Sequence, residues 1–294
     1  MRRSSTEHAT SIDGSIFQGL SWSPANDVRQ LFAYHFMVNA LVSGTAVAVM
    51  AGAVGWFMVL RRQTFAGHTL AVIAFPGAAA AALAGAPVAL GYFGACAAGA
   101  VALAGVSADR SGSHARESAA TGTVQSFGLA LGFLFVALYH GLLTDLQSLL
   151  FGTFLGISDA QTRTLLVVAA ATLVVLALVA RPLLFSSVDP DVARAAGVPV
   201  RVLSFCFLLL LGFAVAATSQ ITGALLVFAL LVTPAATAHR LTSRPLLGLV
   251  LSIAIGVVVT WLGLAFSFFS IYPVGFYVTS LAFAAYVAVR VVRR

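Results

Sequence analysis

The feature that most limits the fold of this 294-residue chain is a series of long uncharged stretches bounded by arginine. A membrane-spanning helix needs about 20 predominantly apolar residues, and several of these stretches are long enough for one helix or two. Hydrophobic residues make up 60% of the chain and charged residues only 9%, whereas about a quarter of a soluble domain is charged. These observations exclude a soluble domain and predict an all-α polytopic membrane protein.

The lengths of the uncharged stretches predict about nine spans. Three stretches hold one span each and three hold two, and the six stretches are 30–60, 118–144, 164–180, 63–108, 202–239 and 245–289. The paired spans are divided by polar, glycine or proline residues at 84–87, 218–223 and 269–273. The stretch 164–180 is short, and we expect Arg163 and Arg181 to bracket it by extending their side chains towards the membrane surfaces.

The distribution of arginine predicts the orientation of the chain. If the Arg61–Arg62 loop is cytoplasmic, 12 arginines fall on that side and 4 on the other, as the positive-inside rule requires. Residues 1–30 then form a polar extracytoplasmic tail, and residues 31–294 form a transmembrane domain with a cytoplasmic C-terminus. The predicted location is the plasma membrane.

Several function classes are excluded by missing motifs. The chain contains no lysine, so the P-loop pattern GxxxxGK[ST] cannot occur. It contains no HExxH helix, paired-cysteine zinc site or Ser-His-Asp spacing, and its arginines are dispersed rather than gathered into a patch for nucleic acid. We therefore expect a non-enzymatic protein that binds no cofactor, with any ATP hydrolysis assigned to a partner.

Four polar or helix-breaking residues are candidates for a transport path, because such residues within spans tend to face a cavity or a partner. His68 is either a metal ligand, since imidazole suits transition ions, or an interfacial histidine bonded to a carbonyl. Asn39 and Gln220 either line a path or form interhelical hydrogen bonds. Pro234 frees a backbone carbonyl inside a span and predicts a kink.

The loop at 181–201 contains the signals of a short capped helix. Asp189 before Pro190 is typical of an N-cap followed by proline in the first turn, and Gly197 indicates the end of the helix. A capped helix of about seven residues between two spans is either a docking element or a connector.

The chain resembles the permease subunits of ABC-type zinc and manganese importers. The resemblance covers residues 36–240 and rests on four segments, 36–68, 116–122, 189–201 and 222–238, of which the last is the most specific. In the family, residues like 116–122 form the loop before the fourth helix, and residues like 189–201 form the cytoplasmic loop that docks on the ATPase.

The resemblance implies a permease with the fold of a type II ABC importer that transports a divalent metal as substrate: zinc, manganese or iron. The implied partners are two cytoplasmic ATPases, an extracytoplasmic solute-binding protein, a second copy of the permease and the lipid bilayer. The residues implied in coupling to the ATPase are Asp189, Asp191, Arg194, Ala195 and Gly197. We expect Ala193, Ala195 and Ala196 to let the loop seat in a groove.

One position departs from the family pattern. Many members carry a second ligand one turn after the position of His68, on the same helix face, and this chain has Val72 there. An importer of a metal chelate, such as a siderophore or cobalamin, is therefore an alternative. A secondary transporter is a third interpretation, which is disfavoured because no Asp or Glu falls well inside a predicted span.

Overall fold

The computed structural model describes residues 32, 34–108, 114–138, 156–223, 227–270 and 272–293, and all regular elements within them are α-helices. The N-terminal tail predicted over 1–30 lies outside the described residues. We number the helices in chain order as α1 (His35–Leu60), α2 (Thr64–Leu83), α3 (Val88–Ala108), α4 (His114–Leu138), α5 (Asp159–Val188), α6 (Pro190–Ala195), α7 (Val200–Thr222), α8 (Val227–Leu241), α9 (Pro245–Phe268) and α10 (Val274–Val292).

The predicted breaks at 84–87 and 269–273 are confirmed, whereas of the predicted break at 218–223 only Gly223 lies outside the helix. The break between α2 and α3 contains Gly85 at φ +67°, and α7 ends before Gly223 at φ +77° and ψ 157°. Residues with a side chain rarely adopt a positive φ, so glycine is the residue that fits both turns. The third break separates α9 from α10 at 269–273.

Eight of the ten described helices are long and apolar enough to cross a membrane, and the other two are the short helices α6 and α8. As described, α8 has 15 residues, which reach about 22 Å at 1.5 Å per residue, less than the hydrocarbon thickness of about 30 Å. Residues 224–226, directly before α8, lie outside the described residues, so the second span in 202–239 stays a prediction. α8 packs among α1, α9 and α10.

The length of α5 also differs from the prediction. The expected 17-residue span bracketed by Arg163 and Arg181 is a 30-residue helix that contains both arginines. It begins where the Ser158 side chain accepts a hydrogen bond from the backbone N–H of Gln161 at 3.2 Å, an N-cap. Arginine is a good helix former, so a charged residue at the edge of an apolar stretch does not end the helix.

The segment 116–122, which the resemblance placed in a loop before the fourth helix, lies within α4. Its helix begins at His114, two residues before the segment starts. The expectation of a loop there is therefore wrong.

The centre of the bundle is formed by α1, which packs against α5, α7, α8 and α9. Its contact with α8 is a close backbone approach, because a Cβ built on Gly55 would lie 2.0 Å from the carbonyl oxygen of Leu231. Only glycine permits two helices to come so close. The contact with α9 includes a hydrogen bond of 2.8 Å from the Ser252 hydroxyl to the carbonyl of Gly52.

Candidate functional site

Polar contacts fasten α1 to α5 at the end of the bundle where both helices begin, which we call the distal end. Nε2 of His35 lies 2.9 Å from Oδ1 of Asp159, and Nδ2 of Asn39 donates to the same oxygen at 2.6 Å. One turn deeper, the buried Ser43 hydroxyl donates to Oγ1 of Thr162 at 3.1 Å. Asn39, predicted as a path residue, therefore joins two helices here.

His68 lies in α2, with an exposed side chain. Its ring meets the ring of Phe228 edge-on, with centroids 5.4 Å apart, which brings the beginnings of α2 and α8 together. Among the described residues, no group of three or more His, Cys, Asp or Glu side chains is placed to hold a metal ion. The structure thus gives His68 an aromatic neighbour and no ligand cluster within this part of the chain.

The polar string 218–223 forms the end of α7, and its side chains are buried. Nε2 of Gln220 donates to the carbonyl of Ala216 at 3.4 Å, so this hydrogen bond lies within α7 and is not the interhelical bond that the sequence favoured. Pro234 is buried inside α8, as predicted. The Ser219 hydroxyl is buried without a hydrogen-bond partner in the described residues.

The predicted capped helix in the loop is confirmed as α6, with six residues. Oδ1 of Asp189 accepts from the backbone N–H groups of Asp191 at 3.1 Å and Val192 at 3.0 Å. Gly197 has φ +83°, and N–H groups of 197 and 198 donate to carbonyls of 194 and 193, both at 3.0 Å. This pair of bonds is the Schellman motif, so both ends of the helix are fixed by local bonds.

The surface of α6 differs in one respect from the expectation. Ala193 is fully buried against the rest of the chain, so it is not free to seat in a partner's groove, whereas Ala195 and Ala196 are exposed. Asp191 and Arg194 are also exposed, and they pair with each other at 2.7 Å. The exposed face of α6 therefore consists of small alanine side chains and of an Asp–Arg pair whose charges neutralise each other.

Arg61 lies next to this loop, at the end of the bundle that we call the α6 end. Its guanidinium donates to the hydroxyl of Ser187 at 3.1 Å and to that of Ser204 at 2.8 Å. Its Cζ lies 5.4 Å from the centre of the Phe207 ring. Burial lowers the pKa of this guanidinium from its ordinary value, but arginine begins so high that it keeps its charge.

The sequence reasoning missed Asp159 and Arg61. Asp159 follows an N-capping serine, a signal that locates a helix start but says nothing about which helix lies beside it. Arg61 was used to set the orientation and as part of the segment 36–68 that carries the family resemblance, and no contact was predicted for it. The contacts of both residues join positions more than 100 residues apart in the chain, and no local pattern predicts such pairs.

The helices of this bundle are long enough to span a membrane, and a short capped helix lies between two of them. These features define a polytopic membrane protein of the kind found in transporters. The sequence profile of the ABC 3 transport family matches residues 33–293. The chain belongs to this family, and the resemblance stated above is confirmed.

Similar proteins are known from several bacteria. The manganese transport system membrane protein MntC of Halalkalibacterium halodurans is 32% identical over 238 residues, 81% of this chain and 80% of that protein. The chelated iron transport system membrane protein YfeC of Yersinia pestis is 32% identical over 240 residues, 82% of this chain and 80% of that protein. The structure of PsaBC from Streptococcus pneumoniae in complex with Fab matches with a TM-score of 0.81 at 28% identity, over 90% of this chain and 94% of that chain. This match confirms the predicted fold class.

Proposed function

We propose that this chain is the membrane permease subunit of an ATP-driven importer whose substrate is a divalent transition metal ion. Manganese is the first candidate, with zinc and iron as others. Family membership over residues 33–293 carries the proposal, and relatives named for transport of manganese and of chelated iron support the substrate class.

ATP hydrolysis belongs to a separate subunit in this proposal. The sequence has no lysine and therefore no P-loop, so the chain needs a partner that binds nucleotide. We assign two cytoplasmic ATPases, an extracytoplasmic solute-binding protein and a second copy of the permease to the complex.

The α6 end of the bundle faces the cytoplasm in this proposal. Among the arginines of the described residues, Arg163 belongs to the distal end. The others belong to helix ends or loops that the predicted topology assigns to the α6 end: Arg61, Arg62, Arg116, Arg181, Arg194, Arg201, Arg240, Arg244, Arg290 and Arg293. The positive-inside rule favours this orientation.

We assign to α6 the role of the coupling element. Its caps make it a rigid unit, and its exposed residues Asp191, Arg194 and Ala195 offer a surface to the ATPase. When the ATPase closes on nucleotide, it moves this unit, and α5 and α7 move with it. Asp189 and Gly197 act indirectly, because they fix the two ends of α6.

His68 is our candidate for a residue that contacts the passing ion. A single imidazole binds a transition ion weakly, since stable sites use three or four protein ligands. Weak binding suits passage, in which the ion has to leave the site as readily as it arrives. The neighbouring Phe228 ring, Asn39, Gln220 and Pro234 are the other path candidates.

The proposal is tested by co-expressing the chain with an ABC ATPase and a solute-binding protein encoded beside it, in cells that lack manganese uptake. We expect ATP-dependent uptake of radiolabelled manganese, and co-purification of the ATPase with the permease. A chain that co-purifies no ATPase and restores uptake of no divalent ion would overturn the proposal.

Import of a chelated metal is a second candidate, which the similarity to YfeC and the single imidazole at position 68 favour. A chelate brings its own ligands and does not need a second histidine at position 72. Uptake that requires an added chelator, and that fails with the free ion, would favour this candidate.

A further inference from the structure

The side chain of Arg61 bridges both anchors of the loop that carries α6. Ser187, one of its two hydroxyl partners, lies in the last turn of α5, just before α6. Ser204, the other partner, lies in the second turn of α7, just after α6. Arg61 itself is the C-cap of α1, so one guanidinium connects the central helix to both flanks of the loop.

The two hydrogen bonds of Arg61 depend on the planar, forked shape of its guanidinium group. Two different terminal nitrogens reach two hydroxyl groups on different helices, while the face of the group lies over the Phe207 ring. A lysine ammonium is a compact point charge that lacks this planar fork. The Ser187 hydroxyl donates its own proton to the carbonyl of Leu183, which leaves its lone pairs free to accept from Arg61.

This arrangement is not the one that stability alone would favour. The guanidinium is partly buried, and the described residues contribute no carboxylate within ion-pair distance of it. Its Nε is buried without a hydrogen-bond partner among them. Withdrawing a charge from water without a counter-ion costs free energy, and local rules are most often broken where a residue has a function.

The next residue provides a natural comparison. Arg62 has the same charge and belongs to the same turn, but its backbone has φ +57° and its side chain is exposed. The Arg61–Arg62 pair looks equivalent in the sequence. The structure directs the first arginine into the bundle and the second away from it.

Pro182 allows the last residues of α5, which include Ser187, to move relative to the rest of the helix. Proline inside α5 removes the backbone hydrogen bond to the carbonyl four residues earlier, so the turn just before Pro182 bends more easily than the rest of the helix. Without a clamp, motion of α6 would be absorbed at this point. Arg61 holds Ser187, which lies beyond the proline, directly to α1.

We propose that Arg61 is the positioning residue that transmits movement of α6 to α1. The inference rests on the proposed coupling role of α6. When the partner ATPase moves α6, the two serines pull on one guanidinium, and α1 follows as the central helix of the bundle. Loss of the clamp then leaves ATP hydrolysis intact and separates it from transport.

The test uses the full complex of permease, ATPase and solute-binding protein in proteoliposomes. For Arg61→Gln we expect normal co-purification of the ATPase and continued ATP hydrolysis. The number of ions imported per ATP should fall at least about tenfold, the factor that corresponds to losing a charge-assisted hydrogen bond. Arg61→Lys should recover part of the ratio, and Arg62→Gln should leave it unchanged.

The outcomes separate this inference from the proposed function. If the wild-type complex neither assembles nor transports, the proposed function fails. If the wild type is coupled and Arg61→Gln imports as many ions per ATP, the inference alone is overturned. Where Arg61→Gln does not insert into the membrane, the double variant Ser187→Ala and Ser204→Ala decides, since it removes the two acceptors and keeps the charge. Reduced coupling then supports the inference, and unchanged coupling overturns it.

Discussion

Nε2 of His35 and Oδ1 of Asp159 lie 2.9 Å apart, which joins the first residue of α1 to the first residue of α5. The two side chains are 78% and 58% exposed, so water competes for the same bonds. The hydroxyl pair Ser43 and Thr162, on the same two helices, is buried. The two contacts join the same helices in different surroundings, and we expect them to differ in their contribution to stability.

Ser43→Ala should lower the free energy of unfolding by about 1 kcal/mol, because it leaves the buried hydroxyl of Thr162 without its partner. Asp159→Ala should have a smaller effect, because exposed ion pairs contribute little. Unfolding in detergent micelles measures both variants. A larger loss for Asp159→Ala would contradict the assignment of the buried contact as the stronger one.

Gly55→Ala should lower the free energy of unfolding by about 2 kcal/mol, because its Cβ would collide with the Leu231 carbonyl and push α8 away from α1. Gly94→Ala in α3 is the control, since a Cβ there meets nothing within 4 Å. It should be neutral or slightly stabilising, because alanine favours helix more than glycine does. Equal losses for the two variants would show that the close approach is unimportant.

Gly197→Ala should destabilise the end of α6 by about 1 kcal/mol, because alanine is strained at φ +83°. We expect it to weaken co-purification of the ATPase, and Gly197→Val to do so more strongly. Gly85→Ala places the same strain at φ +67° in another turn, and it should leave ATPase binding unchanged.

Ala195→Trp, on the exposed face of α6, should block docking without straining the backbone. Normal ATPase binding by both Gly197→Val and Ala195→Trp would reduce the loop to a connector.

His68→Ala should lower metal uptake at least about tenfold, the effect of removing a ligand from the path, with assembly and ATPase docking intact. Val72→Ala changes the same helix face without removing a ligand and should transport normally. Val72→His adds an imidazole one turn from His68 and should tighten binding of a transition ion. Normal uptake by His68→Ala would contradict a role as metal ligand and favour the interpretation of His68 as an interfacial histidine.

Labelling from outside the cell should reach a cysteine at Ala160, at the distal end of α5, and miss one at Ala195 in α6. Both positions are exposed, so access depends on the side of the membrane. The background variant replaces Cys96 and Cys206 with alanine, which removes the two native thiols. The reverse labelling pattern would contradict the proposed orientation.

The sequence predicted the helices well because apolar length and chain breaks are local properties. The glycines at 85, 197 and 223 each stand where the backbone needs a positive φ, and each lies in a break or helix stop that the sequence predicts. The end of α5 was misplaced, because arginine bounds an apolar stretch without ending a helix.

The candidate site was less predictable, because it depends on contacts between helices. His35 pairs with Asp159, which lies 124 residues further along the chain. Arg61 and Arg62 are identical in type and adjacent in sequence, and only the packing of α5 and α7 distinguishes them. Capping residues such as Asp189 were predictable, since their bonds lie within a few residues of each other.

The 30 residues of α5 form a rod of about 45 Å, and both ends of this rod are tied to α1, by Asp159 at one end and by Ser187 at the other. Two helices tied at both ends cannot slide past each other. In the proposed importer, a stroke delivered at α6 therefore tilts the two helices together, because the contact at Ser187 lies beyond the bend at Pro182. A tilt of about 5° displaces the far end of such a rod by about 4 Å, which exceeds a metal–ligand bond of about 2 Å. The leverage of the transporter is thus set by the length of α5.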